Sequence, residues 1–217
     1  MAQTAVYLMP GLGAGPKIFK YLKWSDDFQV NYLHWIKPLS ETESLEQYTH
    51  RLLQQVKHEQ PVLLGVSFGG IIIQEMSKQI KVKKLIIVSS IKNHQELPPF
   101  YQIAQKTRLY KLFPAKILQN IDWFEKIAPP SRFKRKMQFY QNFIEMSDPM
   151  YIRWAIKQVL FWKQTQKLTN FIHIIGEKDP IFPAKYIKDP KIVVPNGQHD
   201  MIISQSYWFN RYISDRL

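Results

Sequence analysis

The chain has 217 residues, 45% hydrophobic, 14% aromatic and 22% charged, with a formal net charge of +13. That length allows one domain with a sizeable buried core, and no apolar run approaches the roughly 20 residues of a membrane helix. The absence of cysteine excludes disulfides, thiolate nucleophiles and cysteine-ligated zinc.

The start, Met1-Ala2-Gln3-Thr4, lacks the basic residues and long apolar stretch of a secretory signal, so a cytoplasmic location is expected. Over residues 1–92 short apolar runs alternate with amphipathic stretches, the pattern of a parallel sheet with crossover helices. Ala5-Val6-Tyr7-Leu8-Met9 reads as a buried strand, ended by the turn Pro10-Gly11-Leu12-Gly13-Ala14-Gly15-Pro16. A short helix is expected from Lys17 to Lys23 and a second strand from Phe28 to Trp35. Leu45 to Lys57 reads as a helix, with Ser44 as N-cap and Gln47 completing a capping box. Val62 to Leu64 forms the third strand, followed by Gly65-Val66-Ser67-Phe68-Gly69-Gly70 and a helix to Gln79. Leu85-Ile86-Ile87-Val88 is the fourth, its apolar run suited to a sheet interior.

From Asn93 to Lys167 the pattern changes. No comparable strand run occurs, and 14 of the 30 aromatic residues fall between Phe100 and Trp162. Phe133, Met137, Tyr140 and Ile144 recur at helical spacing behind the N-cap candidate Ser131, and Asp148-Pro149 opens a helix to Trp162. Residues 93–167 therefore read as a helical insertion packed over the sheet of a single domain spanning 1–217. The insertion carries 13 basic against 5 acidic residues. Such charge attracts nucleic acid, anionic lipid or an acidic carrier. No zinc finger, P-loop or RNA-binding signature accompanies it, so nucleic acid is not expected and a solvated basic surface is the plainer reading. Phe171 to Ile175 and Ile192 to Val194 are the last strands, and Ser204 to Asp215 a closing helix.

Ser67 lies on a strand-turn-helix junction, flanked by glycines two residues before and two after it. A turn sharp enough to lift a hydroxyl off a sheet needs small residues at those positions. The same kind of junction can also cradle a phosphate. A serine nucleophile needs a base, an orienting carboxylate and donors for the oxyanion. Asp179, in Gly176-Glu177-Lys178-Asp179-Pro180, leaves the fifth strand, and His199, in Gly197-Gln198-His199, leaves the sixth. Asp189 precedes the last strand, at the wrong edge, and Asp200 adjoins the histidine it would have to orient. Ser, acid, His is a triad order found on open α/β sheets.

These four pieces, GVSFGG, GEKDPIFP, GQHD and PGLGAG, occur in the order of the α/β-hydrolase superfamily, which the chain resembles over nearly its whole length. The resemblance implies a doubly wound sheet of six parallel strands in the order 2-1-3-4-5-6, with a helical cap insertion. It implies Ser67 as nucleophile, Asp179 as acid and His199 as base. It assigns the oxyanion donors to the backbone N–H of Phe68 and of Leu12, beside Gly11. Two features depart from the family: Pro10-Gly11 stands where many members carry His-Gly, and the usual N-terminal strand pair is missing. Ser89, Ser90 and Lys92, after the fourth strand, either line the pocket, with Lys92 meeting a substrate carboxylate, or cap and solvate the strand end. His34 is a further pocket candidate. No histidine–carboxylate cluster has metal-ligand spacing, so neither metal nor other cofactor is expected. The expected activity is hydrolysis of a small or medium ester or thioester with an apolar acyl portion, without stable membrane insertion. Lyase, C–C hydrolase or peroxidase chemistry on the same site, or a binding protein for an anionic or apolar ligand, are the alternatives.

Overall fold

Alternation along the apolar runs sends side chains to opposite faces of one sheet. The strands are β1 (Thr4–Met9), β2 (Phe28–Tyr32), β3 (Val62–Val66), β4 (Lys84–Val88), β5 (Phe171–Gly176) and β6 (Ile192–Val194). All pair in parallel, in the order β2-β1-β3-β4-β5-β6. The computed structural model describes residues 3–108 and 141–212.

Tyr7, Met9, Leu63, Leu85 and Ile87 enter one core, and Val6, Leu8, Leu64, Ile86 and Val88 the other. The first core is closed by α1 (Leu45–Leu52), α2 (Phe68–Met76) and α4 (Pro149–Phe161); α3 (Pro99–Thr107) packs on α4. The second is closed by a 3-10 turn, Pro16–Phe19, and by α5 (Met201–Ser204) and α6 (Ser206–Tyr212). Both helix starts read from the sequence are present. Ser44 and Gln47 form a reciprocal capping box, and Asp148 accepts from the Tyr151 N–H at 3.0 Å. Between these helices Trp154 is fully buried, 4.3 Å from Tyr48 and 5.9 Å from Phe68 by ring centroids.

Several boundaries differ from the sequence reading. The second strand stops at Tyr32, because β1 runs into Pro10 and the side chain of Gln55 takes both the N–H and the carbonyl of His34. The helix expected over Lys17–Lys23 is only the 3-10 turn, α1 ends at Leu52 in a second 3-10 turn, and α2 ends at Met76. The closing helix starts earlier, at Met201, and breaks at Gln205 (φ −127°). Ile144 is not helical but forms an antiparallel bridge with Ala14. Ser131, Phe133, Met137 and Tyr140 lie outside the described residues.

Candidate active site

β3 ends at Val66 and α2 begins at Phe68, so Ser67 alone makes the turn, with φ 55° and ψ −121°. A side chain held at that φ is strained and persists only where the surroundings enforce it. Here the Ser67 N–H donates to Val88 O and the Gly70 N–H to Ser67 O, both at 2.9 Å. A Cβ on Gly69 would lie 2.4 Å from Pro10 O and 2.5 Å from Met9 O, so the elbow and the end of β1 meet backbone to backbone. A Cβ on Gly65 would lie 2.3 Å from Gly69 O.

The Ser67 hydroxyl lies 2.9 Å from His199 Nε2, and His199 Nδ1 lies 2.9 Å from Asp179 Oδ2. Asp179 is buried, and its Oδ1 also accepts from the N–H groups of Ile181 (2.8 Å) and Phe182 (3.0 Å). With donors on its other oxygen, the carboxylate is the acceptor for Nδ1–H, which leaves Nε2 to accept from Ser67. The 3-10 turn Ala184–Tyr186 takes no side-chain cap, so Asp179 serves His199 and its own turn rather than that helix start. Asp189 is exposed and pairs with Lys191, while Asp200 accepts from Ser204 Oγ.

Ser67 and His199 open onto a cavity of about 450 Å³. Its described lining is almost wholly apolar, with Ile156, Val159 and Leu160 from α4, and Phe143 and Ile144 from the segment before it. Gly11, Leu12 and Phe68 also line it. Phe68 is the first residue of α2, where a helix leaves its N–H groups without intrahelical acceptors and carries partial positive charge. Tyr101 adds a hydroxyl; burial, reinforced by the nearby Asp179 charge, pushes its pKa up to about 12, so it remains a donor.

A scan against protein-family models finds no match, and neither does a search of curated proteins. Solved structures do match. An esterase from Thermogutta terrifontis with malate bound is 15% identical, with a TM-score of 0.69 over 99% of this chain and 89% of that one. A hydrolase from Pseudomonas aeruginosa is 13% identical, with a TM-score of 0.71 over 98% and 89% of the two chains. This chain has the α/β-hydrolase fold. A bromoperoxidase from Bacillus anthracis shares it, at 15% identity and a TM-score of 0.67 over 98% of this chain and 91% of that one.

Within this α/β-hydrolase fold, Ser67, Asp179 and His199 come together, and Gly11, Leu12 and Phe68 line the same cavity as the serine. Ser90 and Lys92 do not line the described cavity. Ser90 is fully buried against Gly70, so its side chain faces α2, and its carbonyl lies 2.9 Å from His173 Nε2. Lys92 turns away to Glu96 (3.3 Å) and to the carbonyls of Lys188 and Pro190. Burial lowers its pKa and Glu96 opposes the shift. His34 is likewise elsewhere, its Nδ1 2.8 Å from Glu145 Oε1 at the surface.

Residue-by-residue reading missed Trp35 and Tyr151. Trp35 Nε1 donates to the carbonyls of Gly11 and Ala14, both at 3.0 Å, and the Gly13 N–H donates to the Tyr151 hydroxyl at 3.2 Å. An aromatic residue next to a strand end and another in the first turn of an apolar helix both read as core. Only the structure brings them onto the glycine loop.

Proposed function

We propose that this chain is a serine hydrolase acting on carboxylic esters or thioesters with an apolar acyl group. The observation that carries this reading is the hydrogen-bonded line Ser67 Oγ–His199–Asp179 at the mouth of an apolar cavity. His199 Nε2 takes the Ser67 proton as Oγ attacks the carbonyl carbon. The resulting oxyanion is received by the Phe68 and Leu12 N–H groups. His199 then returns the proton to the departing alkoxide or thiolate, leaving an acyl group on Ser67. Water, deprotonated by the same nitrogen, releases the acid and restores the serine. Esterases and a hydrolase among the structural neighbours agree with this chemistry.

The apolar lining and the placement of Lys92 away from the cavity argue for an uncharged acyl group. The described residues of the insertion that line it, among them Phe143, Ile144, Ile156, Val159 and Leu160, act as its cap. A fluorophosphonate probe is expected to label Ser67, and Ser67→Ala to abolish both labelling and turnover of nitrophenyl esters. Turnover that survives Ser67→Ala overturns the reading. Labelling without ester turnover points to other chemistry on the same nucleophile.

A further inference from the structure

Trp35 touches both halves of the pocket for the oxyanion. On one side its indole N–H is shared between Gly11 O and Ala14 O, the carbonyls that flank the Leu12 turn. On the other its ring lies flat on Phe68, with centroids 5.3 Å apart and planes 6° apart. Phe68 and Leu12 are the two residues whose N–H groups the proposed mechanism uses.

The side chain is itself held rigidly. It is 6% exposed, with Tyr151 packed 5.4 Å from it. The neighbouring residues are clamped, His34 by Gln55 and Ile36 by the Tyr48 hydroxyl, which donates to Ile36 O at 2.8 Å. Around Leu12 several other peptide groups are engaged too. The Ala14 N–H closes a turn onto Gly11 O, the Gly13 N–H meets Tyr151, and Gly13 O accepts from the Glu145 and Met146 N–H groups. A glycine-rich loop is otherwise free to sample many conformations, and an oxyanion donor is effective only when its position is set before the charge develops.

We propose that Trp35 is the positioning residue of the oxyanion pocket, fixing the Leu12 amide relative to the Phe68 amide through one indole. This rests on the hydrolase reading above. Trp35 makes no contact with substrate in this account. It sets the distance between two donors, which matters in the tetrahedral state and little in the ground state.

The test is Trp35→Phe, which keeps an aromatic ring against Phe68 and removes the shared N–H. Misplacing a donor by about 1 Å can cost on the order of 100-fold. The expected result is a kcat about 10- to 100-fold lower, with KM within about twofold of the parent. Affinity for a trifluoromethyl ketone, whose adduct with Ser67 carries the oxyanion, falls by the same factor as kcat/KM. Unchanged kcat and unchanged ketone affinity in a folded variant overturn the proposal, as does a rise in KM alone. If Trp35→Phe does not fold, replacing Trp35 by 3-benzothienylalanine keeps the bicyclic ring against Phe68 and removes only the N–H to Gly11 O and Ala14 O, and unchanged kcat there overturns it equally. A parent enzyme that neither turns over esters nor labels at Ser67 sinks the hydrolase reading and this proposal with it. Parent activity with an unaffected Trp35→Phe sinks only the role of Trp35.

Discussion

Both carboxylate oxygens of Asp179 lie within reach of one nitrogen of His199, 3.1 and 2.9 Å from Nδ1. Oδ1 is shared with the Ile181 and Phe182 N–H groups, so Oδ2 is the histidine's own acceptor. Asp179→Asn can keep an amide oxygen toward those two N–H groups. Its NH₂ then faces Nδ1 and forces the tautomer that carries the proton on Nε2. The expected outcome is a kcat lower by about 10⁴-fold with stability changed by only ~1 kcal/mol, read from ester turnover and urea midpoints. A loss of stability matching the loss of activity contradicts this assignment.

The glycine contacts around Ser67 separate folding from catalysis. At Gly69 an added methyl meets the Pro10 and Met9 carbonyls, which are backbone and cannot swing aside. Gly69→Ala is expected to cost at least ~1–3 kcal/mol and to lose activity with it. At Gly11 the nearest atoms to an added methyl are Ser67 Cβ at 3.5 Å and Val66 O at 3.6 Å, ordinary contacts. Gly11→Ala is therefore expected to fold with parental stability but to crowd the substrate carbonyl. Denaturation curves and kcat/KM on the two variants check the contrast.

The sheet was legible because its strands are continuous apolar runs, which period and length identify, and because parallel strands require crossovers. Ser67, Asp179 and His199 were legible because each leaves the carboxyl end of a strand, so their convergence follows from topology. Lys92 shows where this logic ends. It leaves the same edge of β4, but Glu96, one turn further on and almost fully buried, draws it away from the cavity. Strand order places a residue at an edge; its charge partners decide where the side chain goes. Trp35 was illegible for a related reason, since its partners are loop carbonyls at Gly11 and Ala14 that carry no side-chain signature.

His173 is expected to make stability depend on pH, away from Ser67. Burial, with the Lys92 charge adding to it, pulls its pKa down to about 3, while the Ser90 carbonyl works the other way. In the unfolded chain a histidine titrates near ~6.5. Between that value and about 3 the unfolded state binds a proton that the folded state refuses. The stabilising contribution is thus fully present above pH ~6.5 and is lost as pH falls, by up to ~1.4 kcal/mol per pH unit. His173→Gln keeps a donor for Ser90 O and removes the titration. Its urea midpoint should fall less steeply than the parent's between pH ~6.5 and ~4; parallel curves would refute the burial account.

On the hydrolase reading proposed above, the cavity is expected to set a chain-length preference. Each methylene moved from water into an apolar wall is worth ~0.8 kcal/mol, or about fourfold in kcat/KM where the gain is realised in the transition state. A series of nitrophenyl esters should climb by about that factor per carbon over the short chains and then level off as the walls at Ile156, Val159 and Leu160 are reached. Val159→Phe narrows the space and should move the optimum to shorter acyl groups without changing kcat for acetate. A terminal carboxylate on the acyl chain should be disfavoured, because Asp200 is the charged side chain on the described lining and Lys92 is held by Glu96 and two carbonyls elsewhere. A flat chain-length profile, or a preference for the carboxylate-tipped ester, would mean that the acyl group does not enter this cavity.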